Sequence, residues 1–181
     1  MTKRKPKLFQ ETELLNYAVR ALGGRAHSTG ELREKLRRRA ERAEDVDVVL
    51  GRLKEIGYLD DRRFAESYAT ARLENQGLGK MRVLRDLRQR RVAPQLAEQA
   101  TAKTYQDTDE GVLIEEFLKK KYRGKKLGEF LGEEKNLAAA YRRLRYAGFA
   151  AGASIRVLKR YAQQAEELES LEMEEPGEPE A

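Results

Sequence analysis

Apolar residues recur three and four positions apart along most of the chain, which is the spacing of one face of an α-helix. In the first sixty residues such stripes lie in residues 11–22, 28–40 and 46–56. Gly23-Gly24 and Gly57 interrupt the stripes, and glycine is favoured where helices end. This part of the chain therefore predicts three helices.

Short polar motifs mark where several helices begin. Ser28 with Glu31 has the spacing of a capping box, in which each side chain satisfies a backbone N–H at the helix start, and Asp107 with Glu110 has the same spacing. We expect Asp60-Asp61 to provide an N-cap carboxylate rather than a paired catalytic site. Further apolar stripes follow these signals in residues 61–103 and 107–165.

The middle helix of each predicted triplet carries a leucine in the same phase. These leucines are Leu36, Leu87 and Leu144, which lie 51 and 57 residues apart. The pattern predicts an all-α fold of three tandem three-helix repeats forming an elongated, curved array. The predicted divisions are a basic tail over 1–10, repeats over 11–60, 61–106 and 107–165, and an acidic, disordered tail over 166–181. Within the third repeat we expect the polar run 119–132 to be a mobile connector.

Residues that could carry chemistry are sparse. The chain has no cysteine, and its one histidine, His27, stands beside Ser28 without metal ligands or a catalytic partner at motif spacing. The run Gly77-Leu78-Gly79-Lys80 lacks the full spacing and the following Ser or Thr of a phosphate-binding loop. We therefore expect no catalytic site, no metal and no cofactor. No stretch approaches eighteen apolar residues, so we expect a cytoplasmic monomer with no membrane partner.

Charge is distributed unevenly. The net charge is +6, but residues 166–181 contain eight Glu and no Lys or Arg, so residues 1–165 carry +14. Such a body attracts polyanions, either nucleic acid or an acidic protein face. The acidic tail could compete for the same surface or could only aid solubility.

Basic side chains recur on the faces opposite the leucines. The candidate binding residues are Arg33, Arg37, Arg82, Arg85, Arg88, Arg91, Lys120, Lys121, Arg142 and Arg143. The alternative is that these are ordinary solvated helix faces, but their recurrence favours an extended polyanionic partner. Base stacking is not indicated, because Phe64, Tyr68, Phe117 and Tyr141 lie on the predicted core stripes.

Residues 14–100 resemble the RecX family of RecA regulators. The resemblance rests on four blocks and their spacing: Tyr17–Leu22, His27–Leu36, Val49–Leu53 and Gly57–Tyr68. The most specific block begins Gly57-Tyr58-Leu59-Asp60-Asp61-Arg62-Arg63-Phe64-Ala65. The third predicted repeat resembles the family only loosely.

The resemblance implies a non-catalytic regulator in DNA repair, recombination and the SOS response. It implies docking on the RecA–DNA filament and modulation, mainly inhibition, of recombinase, ATPase and coprotease activities. Two alternatives stay open. One is a DNA-binding module, for single- or double-stranded DNA, in which a helix such as 80–91 lies in a groove. The other is a helical scaffold for a different acidic protein.

Overall fold

The structure, a computed structural model, describes residues 8–162. Within them the chain forms ten α-helices and no strand beyond an isolated bridge between Phe9 and Ala40. The helices are α1 (Glu11–Gly24), α2 (Thr29–Arg37), α3 (Ala43–Glu55), α4 (Asp61–Gln76), α5 (Lys80–Gln89), α6 (Pro94–Tyr105), α7 (Glu110–Lys121), α8 (Leu127–Leu131), α9 (Glu134–Tyr146) and α10 (Ala151–Lys159). The prediction of an all-α fold is confirmed.

The described residues divide into two units. The first unit comprises the residues up to Thr70 and Leu84–Thr104, and the second comprises Ala71–Val83 and the residues from Tyr105 onward. Helices α4 and α5 each contribute residues to both units. No helix in the part of the chain that the structure describes is both long enough and apolar enough to cross a membrane.

The core of the first unit forms where α1, α2 and α3 pack together. Its buried side chains are Leu14, Ala18, Leu32, Leu36, Val46, Val49, Leu50, Leu53 and Leu59. All of these positions except Leu59 come from the predicted apolar stripes, and burying each large aliphatic side chain contributes roughly 1.5–3 kcal/mol. The helical periodicity therefore located this core correctly.

The core of the second unit lies between α7, α8, α9 and α10. Its largest fully buried side chains are Phe149, Ile114, Leu118, Leu131, Leu137 and Leu144. Phe117 packs edge-on against Phe149, with their ring centroids 5.5 Å apart. The hydroxyl of Tyr105 donates to the Leu78 carbonyl at 2.7 Å, and burial raises the pKa of this hydroxyl.

Two expectations about the third predicted repeat are wrong. The polar run 119–132 is not an unstructured connector, because it completes α7 and forms α8, which buries Leu131 and packs Phe130 against Tyr122. The capping box at Asp107 does not form, because Asp109 caps α7 by accepting from the backbone N–H groups of Gly111 and Val112. The predicted tail over 166–181 and residues 1–7 of the basic tail lie outside the described residues.

Candidate binding surface

The start of α2 meets the turn that ends α5, within the first unit. The capping box of Ser28 and Glu31 forms as predicted, and the Ser28 hydroxyl also donates to the carbonyl of Arg90. A Cβ atom at Gly30 would lie 2.5 Å from the Arg91 carbonyl oxygen, so this approach requires glycine. Residues 28–31 together with Arg90 and Arg91 are called the first junction.

Ion pairs occupy the polar groups of the first junction. The Glu31 carboxylate accepts from Arg90 at 3.0 Å and from Arg25 at 3.2 Å, and the Arg90 guanidinium lies 4.8 Å from the centroid of the Tyr68 ring. Burial raises the pKa of Glu31, but the hydrogen bond from Arg25 and the charges of Arg25 and Arg90 outweigh burial and lower its pKa overall. Glu31 is therefore held ionised between two arginines.

His27 lies buried beside the first junction. Its Nδ1 is 3.6 Å from a Glu31 oxygen and has no hydrogen-bond partner among the described residues. Burial lowers the pKa of His27, and the charges of Arg25 and Lys35 lower it further. The described residues contain no group of three or more His, Cys, Asp or Glu side chains that could hold a metal ion.

The first unit also contains an open cleft of about 620 Å³. Its walls are mainly apolar, with Val19, Leu22 and Phe64 among them, and Tyr58 stands at its edge with 58% of its surface exposed. The lining also includes polar residues, among them Asp60, which accepts from the backbone N–H of Arg63 at 2.9 Å as the predicted N-cap. The Asp60 carboxylate therefore has a structural role at the start of α4.

The start of α5 meets the turn that ends α9, within the second unit. The N–H of Gly79 donates to the Ala147 carbonyl at 2.9 Å, and the N–H of Met81 donates to the Gly148 carbonyl at 3.2 Å. A Cβ atom at Gly148 would lie 2.1 Å from the backbone nitrogen of Arg82, and Gly148 has φ +90°. Residues 79–82 together with 146–148 are called the second junction.

An arginine stacks on an exposed aromatic ring at the second junction. The Arg82 guanidinium lies 4.6 Å from the centroid of the Tyr146 ring, and its Nη1 approaches the Tyr146 carbonyl at 3.4 Å. Tyr146 is 67% exposed, more than any other large hydrophobic or aromatic side chain among the described residues. Tyr146 is not among the residues that the sequence predicted for binding, although its position two residues after buried Leu144 places it on the opposite side of α9.

The candidate basic residues of the first unit fall into two groups. Arg33, Arg88 and Arg91 pair with the carboxylates of Asp47, Glu98 and Glu34, respectively. Arg37 and Arg85 are exposed, and no ion pair is recorded for either among the described residues. The guanidinium groups of these two are therefore the most available to an anionic partner.

The candidate basic residues of the second unit are also not equivalent. Besides Arg82, Arg143 donates to the Tyr122 hydroxyl at 3.1 Å, and Lys120 donates to the Asn75 carbonyl at 3.1 Å. Lys121 and Arg142 are exposed without a recorded contact in the described part of the chain. Arg142 lies one helical turn before Tyr146 on α9, which places the two side chains on the same face.

Comparison with known proteins identifies the relatives of this chain. Residues 15–53 match the family model for the first three-helix domain of RecX, and residues 60–100 match the model for its second three-helix domain. In sequence the chain is similar to regulatory protein RecX of Deinococcus radiodurans, with 43% identity over 53% of this chain and 46% of the relative. The chain thus spans about half the length of that relative.

Other relatives are covered more completely. The chain is 33% identical to regulatory protein RecX of Vibrio parahaemolyticus over 73% of this chain and 81% of the relative. A crystal structure of RecX from Lactobacillus salivarius shares the fold, with a TM-score of 0.63 and 17% identity over 83% of this chain and 96% of that one. The two domain matches and the coverage of the Vibrio relative show that the chain belongs to the RecX family of regulatory proteins.

Proposed function

We propose that this chain binds the filament that RecA forms on DNA and lowers the ATPase, recombinase and coprotease activities of that filament. The observation that carries the proposal is membership of the RecX family, whose curated relatives are named regulatory proteins. The exposed basic residues support it, because a filament of protein on DNA offers a long array of phosphates and carboxylates.

The proposed mechanism is a shift between filament states. A bound protein changes such an equilibrium only if it binds one state more tightly than the other. We infer that this chain binds an inactive state or an end of the filament more tightly than the active state, through cations for which no ion pair is recorded among residues 8–162. Arg37 and Arg85 in the first unit are the strongest candidates, together with Lys121 and Arg142 in the second.

The test is the steady-state ATPase rate of RecA on single-stranded DNA, titrated with this chain at two salt concentrations. A parallel titration measures its binding to the same DNA without RecA. If the ATPase rate falls at fewer than one chain per RecA subunit, and the chain binds bare DNA much more weakly, the result supports a filament regulator. Unchanged ATPase rates at saturating concentrations would contradict it.

A pair of double variants tests which cations act. Arg37→Gln with Arg85→Gln removes two charges that have no ion pair within the part of the chain that the structure describes. Arg33→Gln with Arg88→Gln removes two charges that already pair with Asp47 and Glu98. Both variants change the net charge equally. We expect half-maximal suppression to need about tenfold more of the first variant and almost the same amount of the second. Equal effects would show that only net charge matters.

A second candidate function is direct binding of nucleic acid without RecA. The exposed Tyr146 ring on its arginine is the observation that favours it. The groove-binding version, in which α5 acts as a recognition helix, has less support because Asp86 and the paired Arg88 lie on that helix.

A further inference from the structure

The second junction is surrounded by sequence that lacks carboxylates. No Asp or Glu occurs from Asn75 to Arg85 or from Lys135 to Ala165. The first run contributes Lys80, Arg82 and Arg85, and the second contributes seven lysines and arginines. Glu74 and Asp86 border the first run. Within the second unit, the second junction brings the part of the first run with Lys80 and Arg82 against the end of α9, which carries Arg142 and Arg143.

Two carboxylates of α7, the helix packed against α10, are engaged at the ends of α10. Glu110 accepts from the backbone N–H of Ala150 at 2.8 Å, and Glu115 pairs with Arg160. These contacts hold α7 against the two ends of α10. Lys80 and Arg142 are exposed and have no recorded contact among the described residues, so their charges are open to an anionic ligand.

Tyr146 presents one face of its ring to solvent in a fixed position. The Arg82 guanidinium covers the other face, and the backbone hydrogen bonds of Gly79 and Met81 fix the start of α5 against the residues that follow Tyr146. Met81 beside it is 54% exposed. A side chain held in this way loses little freedom when a flat partner stacks on it.

We propose that the second junction binds single-stranded nucleic acid by stacking one unpaired base on Tyr146. The flanking phosphates are bound by Arg142 and Lys80, which are exposed and carry no recorded contact among the described residues. Stacking on an aromatic ring is open to any base but requires that the base be unpaired. An acidic protein segment would use the same cations but would gain nothing from the open ring face.

This inference deepens the second candidate function and does not depend on the RecA proposal. Its test therefore omits RecA. Binding of a labelled oligo(dT) strand is measured by fluorescence anisotropy for the full-length chain and for Tyr146→Ala, Tyr146→Phe and Tyr58→Ala. Tyr58 is the matched control, because it is also a tyrosine with most of its surface exposed but lies in the first unit.

The expected result is a loss of affinity of about tenfold for Tyr146→Ala, which is within the usual range for one stacked base. Tyr146→Phe keeps the ring and should bind like the unaltered chain, as should Tyr58→Ala. A duplex of the same length and an abasic strand should bind more weakly than oligo(dT) and should show no loss on Tyr146→Ala. Equal affinity of Tyr146→Ala and the unaltered chain for oligo(dT) would overturn the proposal.

A direct signal of stacking is available because the chain contains no tryptophan. Tyr146→Trp introduces a single indole at the proposed platform. Oligo(dT) should quench its fluorescence in proportion to the bound fraction, whereas the abasic strand should bind without quenching. Bound oligo(dT) that leaves the indole emission unchanged would show that only the phosphates are recognised and would contradict base stacking.

Discussion

The two junctions use the same backbone arrangement but opposite electrostatics. In each, the start of one helix is pressed against the turn after another, and the turn contains a residue with positive φ, Arg91 at +59° in the first and Gly148 at +90° in the second. In the first junction Glu31 is paired with two arginines. At the position 51 residues later, the second junction has Arg82 instead, and it contains no acidic side chain.

This difference indicates how one backbone motif serves two purposes. The first junction neutralises its charges internally, so its polar groups stabilise the fold of the first unit. The second junction is held by backbone hydrogen bonds, close glycine contacts and the stacking of Arg82 on Tyr146. The exposed face of the Tyr146 ring is consequently available for a ligand, and the following predictions test this division.

The largest effect is expected at Gly148. Gly148→Val would place a branched side chain at φ +90° and against the backbone of Arg82, so we expect a loss of about 4 kcal/mol or more in the free energy of unfolding. Urea denaturation followed by circular dichroism measures this. Gly152→Ala is the control, since the nearest atom to its Cβ would be the end of Arg156, 3.9 Å away. Similar stability of the two variants would refute the close contact.

A smaller loss is expected when the ion pairs of the first junction are removed. Glu31→Gln leaves Arg90 without its carboxylate partner, and because Glu31 is largely buried we expect a loss of about 1–2 kcal/mol in the free energy of unfolding. Glu98→Gln breaks the exposed pair with Arg88 and should cost less than about 0.5 kcal/mol. If both variants were equally stable, the first junction would not depend on its charges.

The first junction should also make stability depend on pH. The pKa of His27 is lowered in the folded chain. As the pH falls, His27 is therefore protonated first in the unfolded chain, which stabilises the unfolded state. The free energy of unfolding should begin to fall as the pH drops below the ordinary pKa of 6.5. The lowered pKa of Glu31 gives stability that is present above its ordinary value of 4.5 and is lost as the pH falls below it.

Melting temperatures measured from pH 8 to pH 3 would separate these two contributions. His27→Gln should flatten the decline that starts near neutral pH and leave the acid decline. Glu31→Gln should flatten the acid decline and deepen the near-neutral one, because the Glu31 charge raises the pKa of His27. Variants of the second junction, such as Tyr146→Phe, should keep both declines. A profile for His27→Gln identical to that of the unaltered chain would rule out the assignment to His27.

The smallest expected effect is at Arg91, the only described residue other than glycine with a positive φ. Glycine adopts this conformation without the steric cost that a side chain bears, so Arg91→Gly should raise the free energy of unfolding by up to about 1 kcal/mol. Arg91→Gly also removes the exposed ion pair with Glu34, at 3.7 Å, but this loss offsets only a few tenths of a kcal/mol of the gain. Differential scanning calorimetry would detect the shift, and a lower melting temperature would argue against backbone strain at this residue.

Features encoded by neighbouring residues could be predicted from the sequence. The capping box of Ser28 and Glu31 and the apolar stripes of α1, α2 and α3 depend on residues within one helix, and the structure confirms them. Helix α8 was missed because its run is rich in glycine and lysine, although Leu127, Phe130 and Leu131 have helical spacing. A short element with few apolar residues gives a weak periodic signal.

Contacts between distant residues could not be predicted in this way. Glu31 and Arg90 are 59 residues apart, and Arg82 and Tyr146 are 64 apart, so no local spacing brings either pair together. The same limit applies to the basic residues. Sequence could place Arg33 and Arg85 on helix surfaces, but only the fold shows that Asp47 already pairs with the first.

The close packing around Gly148 has a consequence for natural variation within the family. Selection for a stable fold alone would keep glycine at positions 79 and 148, while an exposed residue such as Tyr146 would drift freely, as surface residues without a role do. Retention of an aromatic residue at 146 among orthologues, beside a basic residue at 82, would therefore be the trace of selection for a ligand. Free variation of residue 146 among orthologues that all keep both glycines would indicate that the second junction has only a structural role.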